Sequence, residues 1–201
     1  MIIYGDLKSG NCLKVKYAAD YLGLPYTWTD IDILKGESRT RPALRRNPMG
    51  QVPTIELDDG RCLAQSNAII RFLARGSALL PDDAFAQAKV DELLFWEQYS
   101  HEPYIAVCRF HMAYLGQPRD TREPERVKRG ESALDLMETL LGGRDWFVGS
   151  TMTIADIALL AYTRLAHEGG FDLAVRPAVA TWIRRSEKML GLPQAQAATS
   201  N

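Results

Sequence analysis

The sequence predicts an α/β unit of order β-α-β-α-β-β-α followed by an all-helical unit. Three observations carry this. Strand-like and helix-like patterns alternate through the first part of the chain, the pattern changes at Leu80-Pro81-Asp82-Asp83, and only helical periodicity follows. A length of 201 residues fits one large domain or two small ones, and an apolar share of 46% suffices to build real cores.

Met1 to Tyr4 is a short apolar run closed by Gly5-Asp6, hence a strand. Asn11 to Leu22 carries Leu13, Tyr17, Ala18, Tyr21 and Leu22 at helical spacing, and Gly23 with Pro25 stops it. Tyr26 to Ile31 alternates and is rich in aromatic and β-branched residues, so it is a second strand, parallel to the first because a helix separates them. Residues 32–46 are polar and basic with weak helical content. Val52 to Leu57 and Arg61 to Ala64 form a hairpin across Asp58-Asp59-Gly60, and Gln65 to Arg75 is helical up to Gly76. Beyond the change of pattern, Phe85 to about Gly116 and Arg122 to Leu141 are long helical stretches. Ile154 to His167 is apolar nearly all round and should be the buried central helix, and Ala178 to Leu190 is a last amphipathic helix. The domains are expected at 1–78 and 84–201, with fraying from Pro193 onward.

Several classes are disfavoured. A net charge of -1 offers no field for nucleic acid or an anionic membrane. The start lacks a basic region followed by a long apolar one, so no signal peptide is expected, and Ile154 to Tyr162 is too short to span a bilayer. Cys12, Cys62 and Cys108 are odd in number and far apart, which suits a reducing cytoplasm, not a disulfide framework. Neither they nor His101, His111 and His167 have a recognisable metal spacing, so no metal is expected.

Four segments carry candidate chemistry. In Asn47-Pro48-Met49-Gly50-Gln51-Val52-Pro53-Thr54-Ile55, a proline stands just inside a strand, where it cannot donate to the ladder. Either Val52-Pro53 is cis and presents the Val52 backbone to an extended peptide, or this is an edge strand with a trans proline. In Gln65-Ser66-Asn67-Ala68-Ile69, a polar pair opens a helix whose N-terminus suits a carboxylate, though Ser66 also fits a plain N-cap. In Ser9-Gly10-Asn11-Cys12, a hydroxyl and an amide at a helix N-terminus can stabilise a thiolate or simply cap the helix. Thr153-Ile154-Ala155-Asp156 is a capping box, with Met152 and Ile157 placed for a hydrophobic staple; it is structural.

Together, N-P-x-G-x-V-P at 47–53, Q-S-x-A-I at 65–69 and the T-I-A-D box at 153–156 resemble the glutathione transferase superfamily over nearly the whole chain. The resemblance implies a thioredoxin-like N-terminal domain that binds glutathione as co-substrate and a helical-bundle domain that supplies the second substrate's site. It implies that Val52, before cis Pro53, pairs with the cysteinyl backbone. Gln65 and Ser66 hold the γ-glutamyl end, and Gln51 with some of Lys35, Arg39 and Arg41 faces the glycyl end. The rest of the basic run, Arg45 and Arg46, also fits a solvated face.

The loop at Ser9 is similar to that of serine-type or bacterial nu-like members, which makes Ser9 the expected thiolate stabiliser with Asn11 assisting. Tyr4, where tyrosine-type classes carry their catalytic group, and Cys12, as in beta-type members, are rivals; the first reads better as core support and the second as a buried spectator. Many relatives carry His where this chain has Ser38, which leaves the glycyl contacts open. Trp96, Tyr99, Glu102, Tyr104, Arg109 and Phe110 are candidates for the second site, a few of them lining a cleft and the rest core. The implied activity is attack of the glutathione thiolate on a small hydrophobic electrophile. A glutathione-dependent disulfide reductase and a non-catalytic binding protein on the same fold are the alternatives, and a two-fold homodimer is expected.

Overall fold

The computed structural model describes residues 1–194. The chain divides into two compact units, Met1–Leu80 and the remainder from Pro81.

The first unit is a four-stranded sheet in the order β2-β1-β3-β4, built from β1 (Ile2–Gly5), β2 (Thr27–Asp30), β3 (Thr54–Glu56) and β4 (Cys62–Ala64). β1 and β2 are parallel, with Ile3 opposite Trp28, while β3 runs antiparallel to both β1 and β4. Helices α1 (Gly10–Tyr21), α2 (Arg41–Arg46) and α3 (Ser66–Leu73) complete the unit, and a 3-10 turn, Glu37–Arg39, precedes α2. Side chains alternate along β1, so Ile3 and Gly5 are buried while Ile2 and Tyr4 face the other way. Ile3 and Ile55 are fully buried with Val15 of α1 and Ile69 and Ile70 of α3, each removing apolar area worth about 1.5–3 kcal/mol. Gly5 permits the closest approach: a Cβ there would lie 2.8 Å from the Trp28 ring and 3.2 Å from Cys12 Cβ. That contact seats the N-terminus of α1 against the sheet.

The second unit is helical. The stretch expected as one long helix follows one helical path broken by two wider turns. α4 (Ala84–Trp96) passes through a π turn, Glu97–His101, into α5 (Glu102–Arg109), and a second π turn, Phe110–Tyr114, follows. Pro103 accounts for the first: it has no N–H, and its ring would meet the Tyr99 carbonyl in a regular helix. α7 (Ile154–Thr163), whose ten residues are all buried, packs against α4, α5 and α8 (Pro177–Met189), while α6 (Pro124–Leu141) packs against α5 and α8. α7 is shorter than the periodicity predicts, because the chain tightens into a 3-10 turn at Ala166–Gly169 before Gly170 takes a positive φ of 78°. Of the tail expected to fray from Pro193, residues 195–201 lie outside the described ones.

The capping box at Thr153 closes as predicted: Asp156 Oδ2 accepts from the Thr153 N–H at 2.9 Å. Asp156 does more than cap. Its carboxylate also accepts from Thr153 Oγ1, the Phe147 N–H at 3.2 Å and Trp182 Nε1 at 2.9 Å. One buried side chain thus ties the loop before α7 and helix α8 to the start of α7. Burial pushes the Asp156 carboxyl above its usual range, and the hydrogen bonds from Thr153, Trp182 and Phe147 pull against that. Asp156→Ala would leave these donors unpaired in the core; it is expected to lower the unfolding free energy by about 3–5 kcal/mol in urea titration, and Asp156→Asn by less.

Candidate functional site

The site is built where β3 begins. The loop 47–51 is shaped from within: Asn47 Nδ2 donates to the Gln51 carbonyl at 2.8 Å, and Asn47 Oδ1 accepts from the Met49 N–H at 3.1 Å. Gly50 has a φ of 64°, and a Cβ there would lie 3.2 Å from Arg39 Cγ and 3.3 Å from Leu44 Cδ2. The glycine therefore lets Arg39 lie along the loop. The Val52-Pro53 bond is cis. Both ladders of β3 stop at Thr54, and among the described residues no group hydrogen-bonds to the Val52 main chain. Val52 N–H and C=O are therefore open to an extended ligand.

Two helix N-termini meet beside this edge. Ser9 is the N-cap of α1 but its side chain caps nothing. It lies near the Cys12 thiol, whose pKa it lowers. Asn11, in the first turn of α1, accepts at Oδ1 from Ser66 Oγ, which opens α3, at 3.0 Å. The main-chain N–H of Ser66 donates to no group among the described residues and adds a free donor at this end of α3. Gln65 precedes it with a φ of 70°, the one positive value outside glycine among the described residues. Its amide Nε2 donates to Met49 Sδ at 3.4 Å and sits 3.5 Å from Gln51 Oε1. The structure thus brings Ser9, Asn11, Gln51, Val52, Gln65 and Ser66 together, with Arg39 beside them.

Lys35 is placed differently. Its ammonium pairs with Asp32 at 3.0 Å on the exposed loop before the 3-10 turn. Arg46 lies 3.9 Å over the Tyr4 ring, which leaves it in the sheet's surface. Ser38 is buried and lines a small cleft with Tyr4, Ala43, Arg46, Asn47, Gln51 and Val52, so it shapes the floor of the loop.

Both rivals to Ser9 are tied elsewhere. Tyr4 donates to Glu56 Oε2 at 2.8 Å, on the sheet face opposite Gly5 and Cys12, and burial with that bond raises its pKa. Cys12 is wholly buried; desolvation pushes its thiol up to about 12, against the hydrogen bonds from the Asp6 N–H and Ser9. Cys108 is also buried and raised, whereas Cys62 is exposed.

On the helical unit, Trp96 is half-buried and 6.0 Å from the His101 ring, and Tyr99 is 82% exposed. Tyr104 accepts from Arg129 Nη1 at 3.0 Å, and Arg109 is buried in an ion pair with Glu168 at 2.7 Å. Glu102 and Phe110 are half-buried, and Phe110 stacks 5.1 Å from Tyr114. Sequence reasoning missed the contact of Met49 with Gln65, the seat of Arg39 on Gly50 and the strained backbone of Gln65. The Gly50 signal was visible in the motif; the Met49–Gln65 contact joins residues that no local pattern connects, and the Gln65 backbone carries no glycine to announce it.

The fold and the site define a thioredoxin-like domain joined to a helical bundle. Residues 9–75 match the family model of the glutathione S-transferase N-terminal domain, and residues 120–185 match that of the C-terminal domain. A glutathione S-transferase from Pseudomonas fluorescens is 46% identical, with a TM-score of 0.90 over 99% of this chain and 98% of that one. A possible glutathione S-transferase from Rhodopseudomonas palustris is 41% identical, with a TM-score of 0.91 over 96% of each chain. The mouse glutathione S-transferase theta-3 is 30% identical over 94% of this chain and 83% of its own length. This chain belongs to the glutathione S-transferase family.

Two outcomes follow from burial and backbone geometry. A thiol reagent added to the native protein at neutral pH should modify Cys62 alone, with Cys12 and Cys108 reacting only after denaturation. Gln65→Gly should hold or raise the melting temperature, since it releases backbone strain of about 1–3 kcal/mol; a clear drop would mean that the side chain contributes more than the strain costs.

Proposed function

We propose that this protein is a glutathione transferase that binds glutathione along the open Val52 edge and stabilises its thiolate at Ser9. The carrying observation is the Ser66–Asn11 bond, which draws the N-termini of α1 and α3 together beside an unpaired main chain. Val52 pairs with the cysteinyl backbone. The N–H of Ser66 and the amide of Gln65 take the γ-glutamyl end, Ser66 acting through its main chain because its hydroxyl already donates to Asn11. Gln51 and Arg39 take the glycyl carboxylate, with Lys35 farther out and tied to Asp32. Pro53, without an N–H, keeps the ladder from closing over Val52.

Ser9 acts through its rotatable hydroxyl, which caps nothing in α1 and donates to the glutathione thiolate. A thiol pKa lowered by two units corresponds to about 2.7 kcal/mol of preferential thiolate stabilisation. Asn11 fixes the loop and adds its dipole. The thiolate then attacks a small electrophile, helped by proximity and by its raised thiolate fraction. Trp96 and Tyr99 are the better candidates to meet that electrophile, since Tyr104 and Arg109 are occupied by Arg129 and Glu168.

The protein works in the cytoplasm as a two-fold homodimer. Three free cysteines support the compartment, and exposed Phe85 and Phe95 support association. No helix among the described residues is long and apolar enough to cross a membrane.

Thiolate absorbance of bound glutathione across pH tests the reading. Wild type is expected to form thiolate well below the free thiol's pKa. Ser9→Ala should lose that shift and about 100-fold in kcat/KM, with Kd for glutathione changed by less than about threefold. Binding without any thiolate shift in wild type would favour a carrier role, and turnover of small disulfides without conjugation would favour the reductase.

A further inference from the structure

Met49 stands in the site without a part in the chemistry above. Its side chain is 49% exposed on the loop that presents Gln51 and Val52, and its sulfur accepts the Gln65 amide at 3.4 Å. Among the described residues the only other methionine with comparable exposure is Met189 on α8, at 44%. Met137 and Met152 are buried, and Met1 and Met112 are half-buried. Exposure governs methionine oxidation, so Met49 and Met189 are the two thioethers open to a peroxide, and only Met49 touches a residue of the proposed site.

We propose that Met49 is an oxidation site whose conversion to the sulfoxide weakens glutathione binding; this rests on the reading of Gln51 and Gln65 as part of the glutathione site. A peroxide supplies the oxidant. Its O–O bond breaks, an S–O bond forms on Met49, the sulfur loses two electrons, and the peroxide leaves as water or an alcohol. A thioether is a weak acceptor, and it holds the Gln65 amide loosely. A sulfoxide oxygen is a polar, strong acceptor on a longer side chain. It draws Gln65 Nε2 into a firmer bond and adds bulk where Gln65 and Gln51 already stand 3.5 Å apart. The amide is then held by the protein and no longer available to the γ-glutamyl end, while the carbon framework of the loop is unchanged. Methionine sulfoxide is enzymatically reducible, so the change is reversible.

The test uses the full chain treated with hydrogen peroxide, then catalase and a thiol reductant, so that cysteine oxidation is undone. Peptide mass spectrometry reads sulfoxide at each methionine, and calorimetry reads Kd for glutathione before and after. Oxidation at Met49 should accompany a rise in Kd of about fivefold or more, reversed by methionine sulfoxide reductases. Met189→Leu should keep this response. Met49→Leu, compared with its own untreated value, should lose it. Sulfoxide at Met49 with an unchanged Kd, an equal rise in Met49→Leu, or oxidation of Met189 that spares Met49 would each overturn the proposal alone. Untreated protein that fails to bind glutathione would overturn the proposed function and this inference with it.

Discussion

The site depends on one missing donor. Pro53 has no N–H, so the ladders that β3 makes with β1 and β4 cannot extend past Thr54, and the Val52 main chain is left without a partner. An unpaired strand end would ordinarily collapse onto itself or recruit another chain. Here the loop before it is rigid by its own bonds. Asn47 holds both the Gln51 carbonyl and the Met49 N–H, and the Thr54 hydroxyl reaches the Gln51 carbonyl at 3.4 Å. Gly50 lets Arg39 and Leu44 close in on the loop from α2 and the turn before it. These bonds shape the loop from within, and the Val52 main chain lies open at its end.

The helical unit depends on a constraint of the opposite kind, a polar group that is fully enclosed. A buried carboxylate is unfavourable unless nearly every lone pair finds a donor. Asp156 finds Thr153 twice, Phe147 and Trp182. An apolar residue would pack there as well, but it would not specify how the loop before α7 and helix α8 meet. In the first unit an unmet hydrogen bond leaves a strand edge open. In the second, a fully met one fixes the fold.

The sequence made the element order readable because each element carries its own punctuation. Gly23 and Gly76 end helices, Asp58-Asp59-Gly60 makes a turn, and Thr153 with Asp156 opens α7. The motif at 47–53 likewise disclosed its open edge, since a proline inside a strand has few explanations. Other features were not legible because they join residues with no local pattern between them. Trp182 reaches Asp156 across 26 positions, and Gln65 reaches Met49 across 16. Pro103 was visible, yet periodicity alone runs straight through it; only its clash with the Tyr99 carbonyl predicts a π turn. The positive φ of Gln65 follows from the join of β4 to α3, which the sequence expresses through no glycine.

The sequence placed a hydroxyl and a thiol on the same helix start, and burial separates them. Ser9 and Cys12 are three positions apart, so both lie near the N-terminus of α1, whose dipole favours an anion. Were the dipole decisive, Cys12 would be the reactive group. Against that, Cys12 is wholly buried, and desolvation outweighs the donors from Asp6 and Ser9. The helix terminus therefore cannot ionise the thiol beneath it. Ser9 is half-buried, and its rotatable hydroxyl does not cap α1. An arrangement that suppresses its own thiolate while keeping a donor ready suits a thiolate that arrives with the substrate.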